Sequence, residues 1–269
     1  MNNLYRELAP VSDAAWEQLE DEVTRTFKRF IAGRRVVDVP EAGGVMLPAV
    51  GTGHVKPLAS SADGVLARQR EVKPIVELRV PFELTRDAID DVERGSGDSD
   101  WQPAKVAAQK LAFSEDRAIF QGYAEAGIQG IREATSHPID ALPSDVREYP
   151  DALAQALTKL RLAGVNGPYS IVLGADEYTA LAETRDHGYP VLEHVKRIAD
   201  ASPVWAPAIE GAFILTKRGG DFVLNLGQDV SIGYLSHTAT TVQLYLQESF
   251  VFRALTSEAG VALSPSKTA

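Results

Sequence analysis

Residues 41–67 read EAGGVMLPAVGTGHVKPLASSADGVLA. Gly, Ala, Pro and Ser dominate the stretch, and β-type runs flank it, RVVDV before and REVKPIVELRVPFEL after. A structureless loop of this length runs against the short connections of compact domains. The composition therefore predicts an extended ribbon that is stabilised by something outside its own subunit. Assembly is the first expectation the chain raises.

Upstream lies the best-defined helix, predicted over residues 13–32. Ser12 suits its N-cap, and Val11 with Trp16 has the spacing of a hydrophobic staple. Trp16, Leu19, Val23, Phe27, Phe30 and Ile31 form one apolar stripe at helical period. Gly33 is expected at a left-handed C-cap. The segment TRTFKRFIAGRRVVDV, residues 24–39, adds a basic cluster. Arg25, Lys28 and Arg29 complement the C-terminal end of the helix dipole. Arg34 and Arg35 lie beyond the cap, and the dipole does not account for them.

Downstream, Pro103 opens a second helix expected to reach about Ala126. Its apolar residues cover most of its circumference, so it reads as a buried strut. Residues 149–225 read as an α/β unit that includes YSIVLG, GAFILT and DFVLNL. From Thr241 to Ala254 apolar and polar residues alternate with the period of a strand, and Glu248 falls on the apolar side. The ending SPSKTA is polar and expected to fray. Trp101 reads as a packing anchor.

At 269 residues with 45% hydrophobic and 24% charged content, the chain can bury a sizeable core. A formal charge of −10 weighs against a protein that lives on phosphate backbones. There is no cysteine, which excludes disulfides, thiolate metal sites and cysteine nucleophiles. No secretory leader precedes Arg6 and Glu7, and no apolar run spans a membrane, so a cytoplasmic location is expected. Phosphate-loop, dinucleotide, nucleophile-elbow and zinc-helix motifs are absent. Asp186, His187, Glu193 and His194 come nearest to a metal set, but Pro190 separates the histidines and their spacing is not that of ligands on one helix face. No enzyme is expected, and no metal.

The order of segments resembles the family 1 encapsulins, linocin-type shell proteins of bacterial nanocompartments, and especially their actinobacterial members. The likeness rests on the first 39 residues, MNNLYRELAP to RRVVDV, and on YSIVLGADEYTAL, DHGYPVLEHV, GQDVSIGY and LYLQESFVFR. It covers essentially the whole chain. The resemblance implies an α+β architecture, the Hong Kong 97-type phage capsid fold. On that likeness, residues 1–49 hold a cargo-binding helix and the start of the peripheral domain, and 50–72 are the extended loop. Residues 73–134 carry the spine helix, 135–225 form the axial domain, and 226–269 supply the last peripheral strands.

The resemblance further implies a closed icosahedral shell of about sixty copies around a cargo enzyme, either a dye-decolorising peroxidase or a ferritin-like protein. It implies a luminal groove for the cargo's targeting peptide, formed by Phe27, Phe30, Ile31, Arg34, Asp38, Ile232 and Tyr234. An extended peptide with alternating apolar residues suits such a site. Replacing Phe30 and Ile31 with Asp is expected to leave shells intact but empty. It also implies a five-fold pore lined by Arg185, Asp186, His187, Gly188 and Tyr189. A ring of His187 would make the charge of the pore depend on pH, because the reference pKa of histidine is about 6.5. Any haem or iron is expected in the cargo alone, and no residue pattern decides whether flavin binds. The competing reading is a phage major capsid protein that packages DNA.

Overall fold

The computed structural model describes residues 3–59 and 63–266. α1 spans Asp13–Phe30, with the Ser12 hydroxyl accepting from the backbone N–H of Ala15 as predicted. The ribbon follows as β1 (Ala49–Leu58) and β2 (Ala67–Pro74), paired antiparallel from Ala49↔Pro74 to Leu58↔Ala67. Its strands pair with each other and with no further strand among the described residues. Leu66 stands 87% exposed and Met46 89%. A two-stranded hairpin is marginal alone in water, so the ribbon keeps the character its composition predicted.

β3 (Val76–Thr85) leads into α2 (Arg86–Glu93) and α3 (Gln102–Phe120). α3 is the buried strut, packed along α1 and β3, and Trp101 is buried at its start. It ends six residues earlier than expected, because Gly122 turns with φ +95° and the chain folds back on itself. A Cβ on Gly130 would stand 2.2 Å from the backbone nitrogen of Gly122, so the two segments pass at a distance only glycine permits.

After the short α4 (Ile131–Ala134) the chain builds the α/β unit. Its elements are β4 (Asp140–Leu142), α5 (Tyr149–Leu162), β5 (Tyr169–Leu173), α6 (Ala175–Glu183), β6 (Arg185–Asp186), β7 (Tyr189–Pro190), α7 (Val191–Ala199), β8 (Val204–Trp205) and β9 (Ala212–Thr216). The chain then returns through β10 (Phe222–Leu226), β11 (Ser231–His237) and the long β12 (Thr241–Ala254), and ends on β13 (Gly260–Pro265).

Two sheets organise these elements. In the first, β3 pairs along one edge of β12, while β11 and β10 follow one another along the other. The second has the order β4-β13-β9-β5-β8. Two strands therefore sit elsewhere than the sequence suggested. β10, read as part of the α/β unit, belongs to the β12 sheet; β13, read with the peripheral strands, completes the α/β sheet between β4 and β9. β12 also departs from simple alternation: Leu244 through Phe252 are all buried, because one side of the strand joins the apolar cluster of α1 and α3 while on the other Arg79 lies over Tyr245 and bonds Gln247, and Ser249 accepts the N–H of Gln228. Of the polar tail, residues 267–269 lie outside the described residues.

Candidate functional site

A groove of about 650 Å³ lies between α1 and the start of β11. Val23, Phe27 and Ile31, spaced along one face of α1, form its floor with Ile232 of β11. Leu4 closes one end, held there because its carbonyl accepts the backbone N–H of Tyr234. Arg6 steadies the same segment by pairing with Glu20 and lying 4.2 Å from the Trp16 ring. The rim is charged with both signs: Lys28, Arg34 and Arg35 against Glu20, Asp21 and Asp229. An apolar floor with a mixed polar rim is the usual form of a recognition groove.

One wall is fixed by an unusual set of charges. Residues 33–35 form a single 3-10 turn after α1. Gly33 is not a left-handed cap as predicted. It is small because a Cβ there would lie 2.4 Å from the Ile119 side chain. Its N–H donates to Asp116 Oδ1 at 2.7 Å, and the N–H of Ala32 donates to Asp116 Oδ2 at 2.9 Å. α3 thereby anchors the start of the 3-10 turn that follows α1 through a buried carboxyl group. Burial pushes the Asp116 carboxyl up to about 7, although these two donors pull it down. The folded form thus holds a proton that the unfolded chain, with an ordinary pKa of about 4, gives up. Its stabilising contribution is complete below that value and is lost as pH rises to about 7.

Arg34 then turns inward. Its guanidinium donates to both oxygens of Glu115 (Nε at 2.8 and 3.0 Å, Nη2 to Oε2 at 2.6 Å) and to Glu248 Oε2 at 3.1 Å. The opposite nitrogen donates to Asp229 at 2.7 Å. The same group lies 4.8 Å from the Phe27 ring centroid, so it joins the core carboxyls to the groove floor. Burial and the neighbouring Glu115 push the Glu248 carboxyl well above the usual carboxylate range, with Arg34 opposing.

Four of the seven expected groove residues therefore line the groove: Phe27, Ile31, Arg34 and Ile232. Three lie elsewhere. Phe30 faces away, with its ring against Phe113 at 5.7 Å and Trp205 at 6.0 Å. Asp38 accepts the N–H of Gly220 at 2.6 Å and belongs with the loop before β10. Tyr234 bonds His237 Nδ1 at 2.6 Å, beyond the closed end. The sequence reading missed Leu4, Thr24, Lys28 and Asp229. Lys28 and Thr24 were in the quoted basic segment, but only their position on α1 turns them toward the groove. Ile31 is buried, so an Asp there would also place an unpaired charge in the core, and a Phe30/Ile31 double substitution has to be read beside the stability of the subunit.

The other expected element is a hairpin. β6 and β7 pair across a two-residue turn in which His187 (φ 45°) and Gly188 (φ 86°) both take left-handed backbone. His187 projects at the tip, its side chain 97% exposed, with Nε2 3.7 Å from Asp186 Oδ1. Tyr189 is held at the base, where its hydroxyl accepts from Arg197 at 2.8 Å and its ring meets His194. Glu193 pairs instead with Lys196. Among the described residues no group of three or more His, Cys, Asp or Glu side chains is placed to hold a metal ion.

A family profile described as Linocin_M18, encapsulating protein for peroxidase, matches residues 1–251. The type 1 encapsulin shell protein of Mycobacterium tuberculosis is 61% identical over 98% of this chain and all of its own length. The chain belongs to the encapsulin family. The type 1 encapsulin shell protein of Rhodococcus erythropolis is 58% identical over the same shares. Among solved structures, a virus-like particle from Pyrococcus furiosus matches with a TM-score of 0.64 at 19% identity, covering 92% of this chain and 98% of its own. The capsid of Myoviridae phage XM1 matches at 0.56 and 12%, covering 87% and 90%. The encapsulin subunit thus has the Hong Kong 97-type capsid fold, and it is a self-assembling structural shell protein rather than an enzyme. No helix among its described residues is long and apolar enough to cross a membrane.

Proposed function

We propose that this shell subunit captures a cargo enzyme through the groove beneath α1, which faces the lumen of a closed icosahedral shell. The observation that carries the reading is the groove: an apolar floor, a rim of both charges, and one wall locked by Arg34. An extended peptide tethered to the cargo can seat alternate apolar side chains on Phe27, Ile31 and Ile232 while its backbone meets the polar rim. The family description names a peroxidase as what such proteins enclose; a dye-decolorising peroxidase is the cargo this reading favours, ahead of a ferritin-like protein. Haem or iron then belongs to the cargo and not to the shell, and the loaded shell resides in the cytoplasm.

Thr24 lines the groove but is exposed, so a larger side chain there fills space without disturbing the core. Thr24→Trp is expected to leave shells of normal size and to reduce co-purifying cargo tenfold or more, a loss of about 1.4 kcal/mol or more in peptide affinity. Normal loading would remove the groove from the mechanism. The DNA-packaging reading is not favoured: the phage likenesses are of fold alone, and the net charge of −10 suits a DNA-filled cavity poorly.

The β6–β7 hairpin completes the proposal as the lining of the five-fold pore. Rotation about the axis repeats the Arg185, Asp186 and His187 side chains into a ring of charge. The exposed tip leaves His187 free to reach that axis. His187→Ala should change how the entry rate of a small charged substrate into loaded shells depends on pH between about 5 and 8. An unchanged pH profile would show that this histidine does not gate.

A further inference from the structure

Glu115 and Glu248 are oddly placed for a shell protein. They come from α3 and β12, both have 0% exposure, and their carboxyl groups lie against each other. One guanidinium, that of Arg34, serves both. Its remaining nitrogen is committed to Asp229. Glu248 Oε1 has no hydrogen-bond partner among the described residues, a condition that a fully ionised buried carboxylate does not tolerate. The charges that reach the pair are Arg34, Asp229 and, one residue along α3, Asp116. On the opposite face of β12, Gln247 is held by Arg79 and Glu77, which turn away from the pair. The cluster therefore holds four carboxyl groups against a single cation.

We propose that Glu115 and Glu248 share one proton and act as a positioning pair for the peptide groove, setting where Arg34 lies over Phe27. This rests on the groove reading given above but concerns the wall rather than the cargo. With one proton on the pair, the guanidinium is divided between Glu115 and Asp229 and stays over the Phe27 ring. Loss of that proton places two buried negative charges side by side, and the guanidinium is drawn inward from Asp229 and the groove rim. Rising pH thus loosens the groove wall, and a rigid binding wall becomes one whose geometry depends on a proton held out of contact with solvent.

Infrared spectra of assembled, cargo-free shells test the proton directly, because a protonated carboxyl group has its own carbonyl stretch. At neutral pH the wild-type subunit should show one such group more than Glu248→Gln, and one more than Glu115→Gln, since either substitution lets the remaining carboxylate pair with Arg34. Because Glu115 helps to raise the Asp116 carboxyl, all three proteins carry Asp116→Asn in this comparison. The absence of cysteine allows a second readout: Thr24→Cys carries a single polarity-sensitive fluorophore into the groove. Its emission should shift with alkaline pH in otherwise wild-type shells and stay constant when Glu248→Gln is added. Equal protonated-carboxyl content in all three proteins, or an emission shift that survives Glu248→Gln, overturns the proposal. Neither readout needs a cargo peptide, so a failure here leaves the loading test with Thr24→Trp standing on its own.

Discussion

Arg34→Ala is expected to destabilise the subunit by about 3–5 kcal/mol, the usual cost of leaving a buried ionic partner uncompensated. Glu115 and Glu248 have no solvent exposure and pair with no other cation among the described residues, so the loss falls on the core. Removing the guanidinium also uncovers the Phe27 ring and frees Asp229. Thermal unfolding at fixed subunit concentration should show a midpoint lower by roughly 10 °C, with concentration fixed because assembly itself raises the apparent midpoint. Adding Glu115→Gln and Glu248→Gln to Arg34→Ala should restore much of the loss, because the remaining groups are neutral. A midpoint within a degree of wild type for Arg34→Ala would mean that water enters the cluster and the ion pairs are not structural.

The ribbon should give a different kind of loss. Leu58→Asp combined with Leu66→Asp changes side chains that are 47% and 87% exposed in the single subunit and lie outside all three apolar clusters. The fold itself should therefore be untouched, with an unchanged circular dichroism spectrum. Sedimentation should nevertheless show free subunits or small oligomers in place of shells if the ribbon is covered by a neighbour on assembly, because two charges would then be buried there. Shells of normal size from this variant would show that the ribbon is dispensable for closure. The pair of experiments separates the two ways this protein can fail: Arg34 acts within a subunit, and the ribbon acts between subunits.

What the sequence could and could not show follows from the range of each interaction. α1 was legible because its signals are local: Ser12 and the stripe from Trp16 to Ile31 all lie within eighteen or so residues of each other. The ribbon was legible through composition, since Gly, Ala and Pro over such a length leave no room for a core of its own. Phe30 stands outside the groove because, although period places it beside Phe27, the packing of α3 and Trp205 decides which side of the stripe it joins. Gly33 was misread for the same reason, as its smallness answers to Ile119 rather than to backbone conformation. The carboxyl pair was invisible. Arg34 meets Glu115 across 81 positions and Glu248 across 214, and nothing near any of them in sequence announces the partner. β10 and β13 are both ordinary buried strands, and pattern cannot say which sheet accepts them.

The place of β13 has a consequence for timing. It lies between β4 and β9, parallel to the first and antiparallel to the second, and β4 bonds no other strand of its sheet. During synthesis every other strand of both sheets leaves the ribosome before it, so the α/β sheet waits incomplete while the ribbon, made much earlier, is already exposed. A nascent chain can expose its ribbon early, yet it cannot complete the α/β sheet until residues 260–265 have followed. The two parts of the subunit thus mature in sequence order, the ribbon long before the sheet that β13 closes.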